Sequence, residues 1–578
     1  MKKNILIIIM IVLAMSLAGC KDNNKNNNND NPSDPGGTDR PTRPHNHDLS
    51  DVTVLSDATL FKKGTKTLKC TICDYSKQED YYYLNEVSFE NKIMQYNGEN
   101  QKIEIDGILP VGVTVEYENN VRKDIGTSIA TANFLDNEKN IIESRDAALI
   151  ITAKKGLPNI NINTYNAPID SKETYTTSSI SVTNCEDEYK FENISAGVRL
   201  RGNGTLEASK KPYRIKFDKK QSILGLNDDL KAKSWVLLAE YYDYSFMRNA
   251  TAFMIGDALF NYNENYFSSD FAFVNVYVNG IYGGVYVLCE QSQVNKGRVN
   301  IYEAEKGETK LDIGYFVELD QYAINEGDCF VVGDQTKYNL KSDYYSLKSD
   351  YYSIEQKNYI EKYMNAVLAI LYNAAMTNKY YELDSNFNLV DSKATSDYEA
   401  VSKVMDVDSF IRSFILEEIM KDIDVGYSSY YLYVDFSADS KINRLTTSVP
   451  WDFDWSSGNA SGTYQTNGDY NTTQFAHMNI WLYLISKCDF FDTMIKGYYK
   501  QFRSSRVMEK IYDYQDYIAT SFSNDFATNF RKWNTLGTSQ HQYHSSDVYQ
   551  IHSHVDAKDK LQNWLKARII YLDSKYLN

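Results

Sequence analysis

An α+β protein is predicted, in which a small β-sandwich precedes a larger domain that begins in strands and ends in helices. Three observations in the 578-residue chain predict this. Residues 90–155 alternate apolar and polar over short runs separated by turn residues. From Gly156 to about Asp320 strand patterns dominate. Beyond that, apolar residues recur at helical spacing, as in Ile360, Met364, Val367, Leu371 and Ala374.

Taken in order, residues 1–19 read as a leader. Lys2 and Lys3 precede an apolar run from Ile5 to Leu17, too short to span a bilayer comfortably. The run ends in Leu17-Ala18-Gly19-Cys20, which resembles a bacterial lipobox. That resemblance implies cleavage before Cys20, acylation of its thiol, and a location outside the cytoplasmic membrane, with the lipid as the only membrane contact. Residues 20–44 are Asn, Asp, Pro and Gly with almost nothing apolar, so they read as a disordered tether.

Residues 45–85 form a small unit containing His45, His47, Cys70 and Cys73. Two imidazoles and two thiols could hold a tetrahedral Zn²⁺, and a disulfide-closed or degenerate hairpin is the competing reading. In residues 86–155, Lys102–Ile105, Val111–Tyr117 and Ala148–Thr152 carry a period of two, with turns at Asn97-Gly98 and Asp106-Gly107. These features resemble the Ig-like repeats of bacterial surface proteins. No catalytic constellation lies there.

In the larger domain, residues 271–278 and 284–290 read as strands joined through Asn279-Gly280, a hairpin signal. The segment 342–346 recurs at 349–353 and reads as a loop. Asp406 or Asp408 is placed to cap a helix running to about Lys421, followed by strands at 430–434 and 445–449. Residues 501–578 read as a helical extension of the domain at 156–500.

The formal charge is −16, which excludes a general nucleic-acid surface and confines any phosphate site to a local basic pocket. Two stretches offer the parts of such a site. Arg199 to Asn203, with Lys210 to Phe217, puts fixed cations on short strands. In Lys211 to Phe217 a period of two places Tyr213, Ile215 and Phe217 on one face, and Lys211 shares their inward parity. Trp451-Asp452-Phe453-Asp454-Trp455 brings two carboxylates onto one turn between aromatic side chains. Cations for phosphate oxygens and clustered carboxylates for Mg²⁺ are what phosphoryl transfer requires. A structural Asp turn or a calcium loop is the alternative for the second stretch.

The chain from about 157 to 500 resembles the CotH kinase family, a set of atypical secreted protein kinases. The matching residues are Arg199 to Asn203, Lys210 to Phe217, Trp235 with Asp243 and Arg248-Asn249, the segment Val278 to Glu290, then Glu418, Asp424 and Tyr431, and Pro450 to Gly458. The resemblance implies a kinase-like domain with a β-rich N-lobe and a helical C-lobe, transferring the ATP γ-phosphoryl group to protein hydroxyls of Ser or Thr with Mg²⁺. It implies Asp424 as catalytic base and Lys211 as the phosphate lysine. Arg201, Lys211, Lys216, Glu290 and Asp452 would bind ATP, and Asp452 with Asp454 would hold Mg²⁺. Asp422 departs from the family, whose members often carry Asn there, and no glycine-rich phosphate loop of the ordinary kinase type is present. Two rival readings stand beside it. One is a catalytically inactive, kinase-like surface adhesin. The other is a glycosidase using paired carboxylates, against which the cationic strand argues.

Overall fold

The computed structural model describes residues 49–577 except 72–73, 96–99, 125, 153–155, 339–341, 439, 461–467 and 473–475. The leader, the tether, Cys20, His45, His47 and Cys73 therefore lie outside the described residues. The chain divides into two compact units at about residue 154.

The first unit holds two sheets. Strands β1 (Asp51–Ser56), β2 (Gly64–Lys69) and β3 (Ser76–Tyr81) pair antiparallel in that order. Cys70, just past β2, is buried, and its amide donates to the Tyr75 carbonyl at 2.8 Å. Strands β4 (Lys92–Gln95), β5 (Thr114–Glu118), β6 (Gly126–Leu135) and β7 (Ile141–Thr152) form a second sheet in the order β4-β7-β6-β5. One face of it carries Ala130, Ala132, Phe134, Ala147 and Leu149. Leu84, Val87, Phe89, Ile103 and Val113 pack onto that face. These covering residues come from extended chain joined by the single bridges Ser88–Asp106 and Gln101–Arg122, where the sequence predicts a strand at 102–105.

The second unit opens with a closed barrel. Strands β8 (Asn159–Asn163), β9 (Thr176–Thr183), β10 (Phe191–Leu200), β11 (Tyr213–Gln221), β12 (Ala232–Leu238), β13 (Phe271–Val278) and β14 (Ile281–Glu290) close in the order β10-β11-β12-β14-β13-β8-β9. The inward set includes Ile160, Ile180, Val198, Ile215, Phe217, Trp235, Leu237, Val274, Tyr286 and Leu288. Strands β12 to β14 are apolar on their outer side too. Val236, Phe271, Phe273, Val285, Val287 and Cys289 there join the core shared with the helices. Burial on both faces explains why these strands read as continuous apolar runs, whereas β11 keeps Lys216 exposed outside. The β13–β14 hairpin turns at Asn279 and Gly280, with φ of 49° and 78°, as the Asn-Gly pair requires.

Helix α1 (Arg248–Phe260) interrupts the barrel strands between β12 and β13, and the second half of the unit follows β14. There β15 (Gly314–Leu319), β16 (Phe330–Val332), β17 (Asp343–Leu347) and, later in the chain, β20 (Tyr430–Asp435) form an antiparallel sheet ordered β16-β17-β15-β20. A small hairpin, β18 (Tyr381–Leu383) and β19 (Leu389–Asp391), lies between them in sequence. The expected loop at 342–346 is thus a strand, because Tyr345 is buried against Phe330 and accepts the Trp481 indole N–H at 2.8 Å. Its repeat at 349–353 instead ends in Ser353, the capping residue of α2 (Ile354–Thr377). Helix α3 (Val407–Met420) starts after Asp406, whose carboxylate accepts from the Tyr266 hydroxyl at 2.7 Å rather than capping the helix. The strand expected at 445–449 makes only the bridges Met405–Leu445 and Tyr433–Thr446. Helices α4 (Phe491–Ser504), α5 (Val507–Ser521), α6 (Ser523–Trp533) and α7 (His554–Tyr576) complete the unit. No helix among the described residues is long and apolar enough to cross a membrane.

At the end of β14, Glu290 and Arg298 form a fully buried ion pair at 3.0 Å, with the Arg298 guanidinium over the Trp235 ring. Arg298→Ala leaves the Glu290 charge buried without its cation. It is expected to lower unfolding free energy by about 3–5 kcal/mol, read from the urea midpoint.

Candidate functional site

Strand β10 ends at Leu200, so Arg201 enters the loop beyond it, where the backbone turns at Gly202 with φ of 89°. The Arg201 guanidinium lies 5.3 Å from the centre of the Trp451 ring, and Arg201 lines a pocket together with Lys210, Glu240, Asn249, Asp452 and Asp454. The cationic strand region and the acidic turn therefore meet at one place.

Lys210 is buried to 1 % exposure. Its ammonium donates to the carbonyls of Ala239 (2.7 Å) and Val285, and stands over the rings of Phe246 and Tyr286. Two carbonyl dipoles and two π-faces thus take the place of water. Gly284 permits this, since a Cβ there would stand 2.9 Å from Lys210 Cε. Burial pushes the Lys210 ammonium well below its usual value, against a smaller pull from the Glu240 charge.

The acidic side is built on α1. Asp243 accepts from the amides of Ser245 and Arg248 (both 2.9 Å) and pairs with the Arg248 guanidinium. That guanidinium reaches across to the carbonyls of Ser456 (2.9 Å) and Ser457 (3.2 Å), just past Asp454. Asn249, the next residue, donates to Glu240 Oε1 (3.1 Å) and accepts from the Phe453 amide (2.7 Å). One helical turn therefore fixes Glu240 and the 452–457 turn together. Asp452 sits at φ of 67° and accepts from the Ser429 hydroxyl at 3.2 Å.

The carboxyls crowd one another. Burial pushes Glu240 up to about 8, and the Asp243 charge adds to this. Asp424 is pushed up to about 7 by burial and then by the charge of Asp452. Asp454 is raised well above the carboxylate range by burial and then by Asp452, Glu240 and Asp424. Such a set is short of positive charge. Glu240 Oε2, buried, has no hydrogen-bond partner. Hard carboxylate oxygens with an open acceptor fit Mg²⁺. Among the described residues no three His, Cys, Asp or Glu side chains converge as a metal-holding group. Mg²⁺ needs only one or two carboxylates when phosphates and water supply its other ligands.

The family comparison matches CotH kinase protein over residues 198–572, more than half of the chain. The chain belongs to the CotH kinase family. No curated protein matches it.

The positions expected of a CotH kinase site are not all used as predicted. Arg201, Asp452 and Asp454 line the pocket, with Asp424 beside Asp452. Lys211 does not point inward. Strand pairing begins only at Tyr213, past Pro212, so the parity of β11 does not extend back to it. Its ammonium donates to the Leu206 carbonyl, and Lys210 takes the buried position. Lys216 is exposed outside the barrel, 5.7 Å from the centre of the Tyr175 ring. Glu290 is held by Arg298, by Asn227 Nδ2 (3.0 Å) and by the Asp270 amide (3.1 Å), which leaves its carboxylate engaged in the barrel wall. Of the four candidate zinc ligands only Cys70 lies among the described residues. Glu240 was not foreseen, because nothing in its neighbourhood in the sequence marks a lone Glu after β12.

Two histidines hold the loop that carries Glu240. His544 bonds the Tyr242 carbonyl and His554 the Ser245 carbonyl, each at 2.8 Å. Burial lowers both to about 4. A base whose folded value lies below its unfolded value of about 6.5 stabilises the fold above that pH. That stability is lost as pH falls from about 6.5 towards 4. His554→Gln is expected to be less stable than the parent at pH 7 but to lose less stability between pH 7 and pH 4, measured by thermal unfolding.

Proposed function

We propose that this CotH kinase protein is an atypical protein kinase, lipid-tethered outside the cytoplasmic membrane through Cys20, that transfers the ATP γ-phosphoryl group to Ser or Thr hydroxyls of protein substrates. The observation that carries the reading is that Arg201 and Lys210 share one pocket with Glu240, Asp452 and Asp454. Cations and carboxylates lining one pocket match a triphosphate and its metal.

Arg201 lines the pocket and would take phosphate oxygens as a planar, multi-donor cation. Lys210 contributes charge from a fixed position, and an arriving anion would favour its protonated form. Asp452, with Asp454, would hold Mg²⁺, which neutralises charge on the phosphate oxygens. Asp424 would accept the proton of the acceptor hydroxyl as its oxygen bonds to the γ-phosphorus and the bond to the bridging oxygen breaks, releasing ADP. Burial alone already raises the Asp424 carboxyl above the usual carboxylate range, which favours it as a proton acceptor at neutral pH. Arg248 and Asn249 position the acidic turn through the Ser456 and Ser457 carbonyls and the Phe453 amide.

The test is incubation of the full chain with labelled ATP, Mg²⁺ and a protein acceptor. Asp424→Asn is expected to lower turnover by about 10²–10⁴-fold, and Asp452→Ala to remove the Mg²⁺-dependent transfer. Transfer that survives both changes refutes the assigned roles. Absence of both transfer and nucleotide binding points to the inactive adhesin. A second comparison separates the two lysines, because Lys210→Met should depress transfer while Lys211→Met stays near the parent rate.

A further inference from the structure

Beneath the loop that carries Asp424 lies a cavity of about 10 Å³, room for a single ion or water. Glu417 from α3 and Asp422 from the loop line it, with Ser413, Ser429, Tyr430 and Thr447. It shares no lining residue with the pocket at Asp452.

Both carboxyls are almost fully enclosed, Glu417 at 5 % exposure and Asp422 at 3 %. Glu417 Oε2 and Asp422 Oδ1 have no hydrogen-bond partner. The cations nearby in the chain are committed elsewhere. Arg568 bonds Glu418, and the Lys421 ammonium donates to Thr472 Oγ1 (2.8 Å) and to the Asp469 carbonyl. Two buried carboxylates facing one small cavity without a counter-charge are costly unless something positive enters. Apart from the Trp451 indole, the polar side chains of the wall end in oxygen. The Ser413 and Tyr430 hydroxyls bond each other at 3.2 Å, and Thr447 donates to the Tyr431 carbonyl.

We propose that the cavity between Glu417 and Asp422 holds one divalent hard cation of the Ca²⁺ class, in a structural site separate from the one at Asp452. Two carboxylates balance one divalent charge. An irregular set of carboxylate and hydroxyl oxygens suits Ca²⁺, whereas Mg²⁺ keeps several waters for which this cavity has no room. Ser429 lines the cavity and donates its hydroxyl to Asp452. A filled cavity would therefore brace the loop that carries Asp424 and the turn that carries Asp452.

The full chain, stripped with EDTA and dialysed, is titrated with Ca²⁺ while bound calcium and Tm are measured. The parent and Asp452→Asn are both expected to bind Ca²⁺ and rise in Tm, and Glu417→Gln and Asp422→Asn to lose that rise. Neutral isosteres should also make the two variants more stable than the parent in EDTA. Parent protein that keeps no calcium, or Glu417→Gln responding as the parent does, overturns the proposal. So does a parent Tm indifferent to Ca²⁺ that falls as pH rises towards 8, because protons would then be neutralising the pair. If the cavity variants do not fold, calcium bound by the Asp452→Asn, Asp454→Asn double variant decides alone, since it lacks both ligands proposed for the other site; no calcium bound by it overturns the proposal.

Discussion

The buried contact of Arg248 with Asp243 and with the Ser456 and Ser457 carbonyls is the constraint on which the rest of the site depends. It joins the first turn of α1, which lies between barrel strands β12 and β13, to the acidic turn more than two hundred residues later. A guanidinium is suited to this because its donors point in fixed directions towards several acceptors at once. Asn249 extends the same link to Glu240 and the Phe453 amide. Ser429, through its hydroxyl on Asp452, and Asn459, through the Asp454 carbonyl, hold the same turn from its other sides.

Electrostatics reconcile the proposed anion site with so acidic a chain. The net charge of −16 belongs to the whole surface, whereas the pocket holds a guanidinium and an ammonium within a low-dielectric wall. The carboxyls opposite them are raised by burial and by one another, so the protein alone keeps protons there that a metal ion would displace.

Much of this was legible in the sequence. The hairpin at Asn279-Gly280, helices α2 and α3 and the helical C-terminal region follow from local pattern, and the Pro450 to Gly458 block marks the acidic turn. What was not legible depended on tertiary pairing. Parity assigned the inward lysine to position 211, but the strand does not reach back past Pro212, and Lys210 occupies the interior. Residues 342–346 read as a loop because their burial is set by Phe330 and Trp481, which are distant in the sequence. Glu290 looked like a ligand-facing hairpin end, and the cation that neutralises it, Arg298, lies beyond the hairpin.

The most direct test is a crystal structure of the full chain with a non-hydrolysable ATP analogue and Mn²⁺, whose anomalous signal locates the metal. The account predicts Mn²⁺ at Asp452 and triphosphate oxygens against Arg201. Nucleotide phosphates elsewhere on the molecule, or a metal bound away from the acidic turn, would contradict it.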